Sequence, residues 1–162
     1  MPTIAYQLIM KKILLLLLMF TTLKCTIAQK KSGGEWSAGA RLGGSLGATL
    51  KSHAKTNDYA FEFLAANSFD EKMKGFSLGI LYEKLAPIAA DGQLSAMAGG
   101  GFTFNFQDRT NFGISGTLGF DWRLKSVPLN FQLDWMPTFF FINTTHFSGV
   151  NGAFSIRYIF NR

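Results

Sequence analysis

Eight charged residues carry the clearest pattern in this chain that could organise chemistry: Arg41, Lys51, Arg123 and Arg157 against Glu62, Glu83, Asp121 and Asp134. Each stands among Gly, Ser, Thr and Asn at every second position of its segment, and the four positive charges equal the four negative ones. That equality suits a crowded interior, where an isolated buried charge is far costlier than a paired one. The eight therefore read as a charge network filling a narrow space, with an ion path as the other chemistry open to them. A catalytic set is not expected. His53 and His146 are the two histidines; an up-and-down path puts His53 near the periplasmic rim and His146 in the last external loop, so neither can serve a shared Ser/His/Asp site. No His/Cys/carboxylate spacing suits a metal. The glycine-rich "GARLGGSLGATLK" lacks the Gly-Lys-Ser/Thr ending of a phosphate loop. No catalytic, cofactor-binding or metal residue is thus expected, and no enzyme.

The elements that must position these charges are strands. Apolar residues recur at every second position through eight segments, the mark of a strand with one apolar and one polar face. The segments are "WSAGARLGG", "LGATLKSH", "YAFEFLAAN", "GFSLGILYEKL", "LSAMAGGGFTFNFQ", "NFGISGTLGFDWRL", "PLNFQLDWMPTFFFI" and the terminal "GVNGAFSIRYIF". Turn-forming stretches separate them: "GGS", "AKTND", "SFDEKMK", "PIAADGQ", "DRT", "KSVP" and "TTHFSG". Pro137 falls inside the seventh segment and has no N–H to give a ladder, so a bulge or a fraying end is expected there. Seventeen glycines argue against a helical bundle, and a charged fraction of 16% argues against disorder.

Residues 1–28 are set apart. "MKKILLLLLMFTTLKCTIAQ" places lysines before a short apolar run and a polar stretch ending at Ala28, the layout of a cleaved secretory signal peptide. Met10 directly precedes the lysines and is the alternative start. Cleavage removes the single cysteine, Cys25, together with Lys11, Lys12 and Lys24, so the formal net charge of +6 falls to +3 over residues 29–162. The remaining chain is one domain. It has no Lys/Arg cluster that would suggest nucleic-acid binding.

Eight antiparallel strands suit two barrels. A lipocalin-like soluble barrel, ligand-binding and periplasmic, turns its apolar face inward; an outer-membrane barrel turns it to lipid and fills its lumen with polar groups. The scarcity and balance of charge on the polar face favour the second. So does the placement of Trp36, Tyr59, Tyr82, Trp122 and Tyr158, which an up-and-down path puts at the periplasmic strand ends, facing out, as an aromatic girdle. Phe76, Phe106, Phe112 and Phe141 fall at the other boundary. An eight-stranded barrel is filled by its own side chains, so a structural role is expected and a narrow or gated channel is the alternative to it.

The chain resembles the small outer-membrane β-barrel proteins of Gram-negative bacteria. The resemblance lies in "GARLG" at Gly39–Gly43, "LYE" at Leu81–Glu83, "DWMP" at Asp134–Pro137 and "SIRYIF" at Ser155–Phe160. It implies an all-β transmembrane barrel, monomeric, in contact with outer-membrane lipid and lipopolysaccharide. It further implies that Phe154, Ile156, Tyr158 and Phe160 form a C-terminal signal for the outer-membrane assembly machinery. Asn161 and Arg162 depart from the aromatic ending of that family.

Overall fold

A computed structural model describes residues 34–56, 58–69, 74–89, 93–106, 110–143 and 145–160. The expected signal segment 1–28, the terminal Asn161 and Arg162, and much of the loop between Asn67 and Lys74 lie outside the described residues. The described chain is all strand and turn: β1 (Trp36–Gly43), β2 (Ser45–His53), β3 (Tyr59–Ser68), β4 (Gly75–Pro87), β5 (Leu94–Phe106), β6 (Thr110–Arg123), β7 (Leu129–Trp135), β8 (Thr138–Phe140), β9 (His146–Ser148) and β10 (Gly152–Ile159). Each pairs antiparallel with its neighbours, and β1 pairs β10, which closes the sheet. The ten segments make eight staves, since β7 continues into β8 and β9 into β10. The fold is an eight-stranded closed antiparallel barrel, as the alternation predicted.

Pro137 divides the seventh stave, but the extra residue lies elsewhere. The pairing of β6 with β7 and with β8 keeps one register across the proline, and the N–H of Gly116 donates to the Pro137 carbonyl at 2.9 Å. Against the last stave the register slips by one between Trp135↔Gly152 and Thr138↔Ser148. The bulge therefore occupies Gly149–Asn151, opposite the residue that cannot donate. Its Gly149 carbonyl is taken by the Trp135 indole N–H at 2.6 Å. The "TTHFSG" stretch, read from sequence as a turn, contains β9 for the same reason: the last stave starts earlier than its alternation, broken by the bulge, revealed.

Closure has a measurable stagger. Partners traced from Asn130 run through Arg157, Gly39, Thr49, Leu64, Gly79, Thr103 and Gly113 to Phe140, ten residues further along the starting stave. With the usual rise and strand spacing, that shear over eight staves tilts the strands by about 40°. Each residue then climbs roughly 2.5 Å of barrel axis.

The two faces of the sheet differ in polarity. Among the described residues, twenty-six polar or charged side chains are buried against ten apolar ones, so the interior is the polar face. The outward positions are apolar and exposed, from Leu42 and Phe63 through Phe104 and Ile114 to Leu133 and Ile156. Lys84 is the one charged side chain that a described strand turns outward, and it pairs with Tyr59 at the end of the barrel where β1 starts and β10 finishes. That end is called the terminal rim below, and the opposite end the far rim.

Candidate functional site

The interior divides along the barrel axis into two unlike halves. Towards the terminal rim lie all eight charges singled out from the sequence, and all are buried. Arg41 (β1) holds Asp134 (β7) with two parallel hydrogen bonds, 2.7 Å from Nη1 to Oδ1 and 2.6 Å from Nη2 to Oδ2. Its Nε donates to Ser45 at 3.3 Å. Arg157 (β10) pairs with Glu62 (β3) through Nη2, and its Nε donates to Thr49 Oγ1 at 2.9 Å. Thr49 donates in turn to Glu62 at 2.6 Å. Lys51 (β2) lies 2.6 Å from Glu83 (β4) and 2.9 Å from Asp121 (β6). Arg123 is nearest the rim, 3.6 Å from Glu35 and 3.7 Å from Asp121. Forked guanidinium–carboxylate pairs of this kind are the strong form of the interaction.

Three neutral residues tie the pairs into one network, and sequence reasoning did not single them out. Gln132 (β7) uses its whole side-chain capacity. Its Oε1 accepts from Lys51 at 2.7 Å and from Arg157 at 2.9 Å, and its Nε2 donates to Glu62 and Asp134, both at 3.1 Å. Asn130 accepts from Arg157 at 2.9 Å and donates to Asp121 at 3.0 Å. Thr49 is the third. Alternation placed all three on the inward face, but nothing in their spacing distinguishes a hub from a filler.

Glu83 is the loosest member. Lys51 approaches it as an ion pair, yet neither Glu83 oxygen has hydrogen-bond geometry to a partner. His53, expected near the rim, ends β2 there and points inward, with Nε2 3.6 Å from Asp121. His146, expected in the last loop, lies on β9 and stacks on the buried Phe140 ring with centroids 4.8 Å apart. The two histidines therefore sit in opposite halves of the interior.

The half towards the far rim carries no charge among its described strand residues. Hydroxyls run across its strands, Thr103 to Ser115 at 2.6 Å and Ser115 to Thr138 at 2.8 Å, and Asn105 donates to Ser77 at 2.9 Å. Beside them Gly79, Ala66 and Leu64 leave a crevice of about 20 Å³ with Arg41 at its floor, room for a single water.

Outside, the register places Trp36, Tyr59, Trp122 and Tyr158 within about one residue's rise of a common level near the terminal rim. Tyr82 departs from the expected girdle. It pairs with Phe61 and lies about 8 Å closer to mid-barrel, though its ring still meets that of Tyr59 at 6.0 Å. Residue order along β4 suggested a rim position, but strand tilt was not part of that count. Phe76, Phe106, Phe112 and Phe141 form a second level about 25 Å from the first. Phe154, Ile156, Tyr158 and Phe160 all point outward from the last stave.

Among the described residues, no group of His, Cys, Asp and Glu is arranged to hold a metal ion. A scan against protein-family models, a search of the curated proteins and a search of the solved structures each gave no match.

Proposed function

We propose that this chain is an integral β-barrel of the Gram-negative outer membrane, without enzymatic activity, whose role is structural and serves the maintenance of the envelope. The observation that carries the reading is the inversion of the barrel: an exposed apolar band outside, a polar interior with paired charges within. The band is about 25 Å tall between its aromatic levels, the height expected of the lipid-facing zone of such barrels. A closed sheet also meets the demand of lipid, which offers no hydrogen-bond partner to an edge. Trp135 meets the same demand locally by capping the bulge carbonyl of Gly149. Lys84 can place its ammonium in the headgroups beside Tyr59 while its stem stays in hydrocarbon.

On this reading residues 1–28 are a cleaved signal peptide, and the barrel is monomeric. Its partners are outer-membrane lipid and lipopolysaccharide, with the assembly machinery during biogenesis. Phe154, Ile156, Tyr158 and Phe160 are the surface that machinery would read. The lipocalin-like alternative needs an apolar interior around a ligand, and the water-sized crevice and charged floor do not favour it. A narrow channel has one observation on its side, the crevice that reaches Arg41.

Cell fractionation with gel mobility of heated and unheated samples tests the proposal. Recovery in the outer-membrane fraction, with faster migration before heating, is the expected result. Recovery as a soluble periplasmic protein would overturn it. Bilayer recordings address the channel: a current that appears on Glu62→Ala or Arg123→Ala would mark a plugged pore, whereas silence in both would mark a filled lumen.

A further inference from the structure

We propose that Arg41 and Arg157 form a crossed latch that holds the barrel shut along the seam between β1 and β10. The seam joins the two ends of the barrel sequence, so its pairing closes the longest loop in the fold. Its strands are short, 8 residues each, against 13 in β4 and β5 and 14 in β6. Each carries one charged residue, an arginine, and neither strand carries an acid.

Both arginines find their partners by reaching across the seam, and they do so in opposite directions. Arg41, paired with Ser155 across the seam, reaches over β10 to bind Asp134 on β7, which itself pairs with Ala153. Arg157 leaves β10, crosses β1 at Gly39 and binds Thr49 on β2 and Glu62 on β3. The strand crossed carries small residues there in each case. A Cβ at Gly39 would already meet the Ile156 carbonyl, so that strand approach tolerates no side chain. In an unclosed sheet β1 and β10 are opposite edges. Arg41 then lies far from Asp134, and Arg157 far from Glu62, so both pairs form only when the seam does. All four groups are at most about one-hundredth exposed at their side chains, which makes the cost of separating them large. A two-residue slip preserves the inward face but moves each guanidinium by about 6.6 Å, beyond reach of its carboxylate. The latch thus sets register as well as closure.

The test is hydrogen–deuterium exchange on the folded full-length mature protein in detergent micelles, read by mass spectrometry. Arg41→Met with Asp134→Leu removes a whole pair and leaves no orphan charge. Thr103→Val with Ser115→Ala removes a hydrogen-bonded pair on adjacent β5 and β6, away from the seam, as the control. The latch predicts that β1 and β10 amides exchange about tenfold faster in the first variant, with β4 and β5 unchanged. The control should show no such selectivity. A disulfide across the seam from Ala40→Cys and Ile156→Cys, facing partners in a chain whose only other cysteine is Cys25, should abolish the difference. Uniform acceleration over all staves, or no acceleration at the seam, overturns the proposal. If the first variant does not fold, folding restored by the disulfide supports the latch. Failure of the stapled form as well refutes it.

Discussion

The two halves of the interior use the same width of barrel in different ways. The terminal half holds eight charges bridged by Gln132, Asn130 and Thr49. The far half is built from hydroxyls, amides and small residues around Met136 and Phe140, with short neutral hydrogen bonds and a crevice the size of one water. Long charged side chains fill the first half, and the second keeps a small gap beside its glycine and alanine. Cost follows the same division. An ion pair out of water is close to neutral while intact and expensive when one partner goes, whereas a lost hydroxyl bond costs little beyond itself. Sensitivity to single substitutions should therefore be concentrated, residue for residue, in the charged half.

Glu62→Leu should be the most damaging single change. It removes the acceptor of Arg157, Thr49 and Gln132 together and leaves Arg157 buried beside Lys51. A loss of about 3–5 kcal/mol is expected in urea unfolding from micelles. Because the pair is fully buried, the loss should persist at raised salt, where surface pairs are screened. Equal losses from Glu62→Leu and from a far-half hydroxyl would break the contrast between the halves.

Gln132→Leu comes next, at about 2–3 kcal/mol, since it withdraws one hydrogen bond from each of four ionised groups without changing net charge. Gln132→Glu should be worse than Gln132→Leu. It keeps the shape but sets a third carboxylate between Glu62 and Asp134. Comparison of the two by unfolding midpoint separates a bonding role for this side chain from simple space-filling.

How much of this could be read beforehand depends on which physical property carried the information. Alternation is local, so Phe102, Phe104 and Phe106 on one face, and Thr103 and Asn105 on the other, announced both the strand and its two sides. Charge balance is a sum over the chain, so the eight ionised residues were legible as a set. Their pairing was not, because Arg41 finds Asp134 through closure and shear, and neither leaves a trace in spacing. Tyr82 shows the same limit: its face was right and its depth was not, since depth depends on strand tilt. The bulge at Gly149–Asn151 hid β9, since one extra residue reverses the phase of an alternation. Gln132 shows a further limit, for a neutral amide becomes a hub only when four charges from different strands converge on it.

The smaller effects sharpen the comparison from both sides. Glu83→Gln should cost about 1–2 kcal/mol, less than Glu62→Leu, because Lys51 retains Asp121 and Gln132 and Glu83 makes no hydrogen bond of good geometry. That outcome would show that the charged half is graded by how many bonds each carboxylate accepts, not by charge alone. Ser115→Ala lies at the lower end, about 1 kcal/mol, though Ser115 contacts both Thr103 and Thr138. Thr103 faces a crevice that can admit water, and a water can take over a bond that a buried arginine could not replace. Thr103→Val at the same site keeps the shape and removes only the hydroxyl. A loss from Thr103→Val as large as that from Gln132→Leu would mean the far half is as tightly coupled as the terminal half, and that its crevice stays dry.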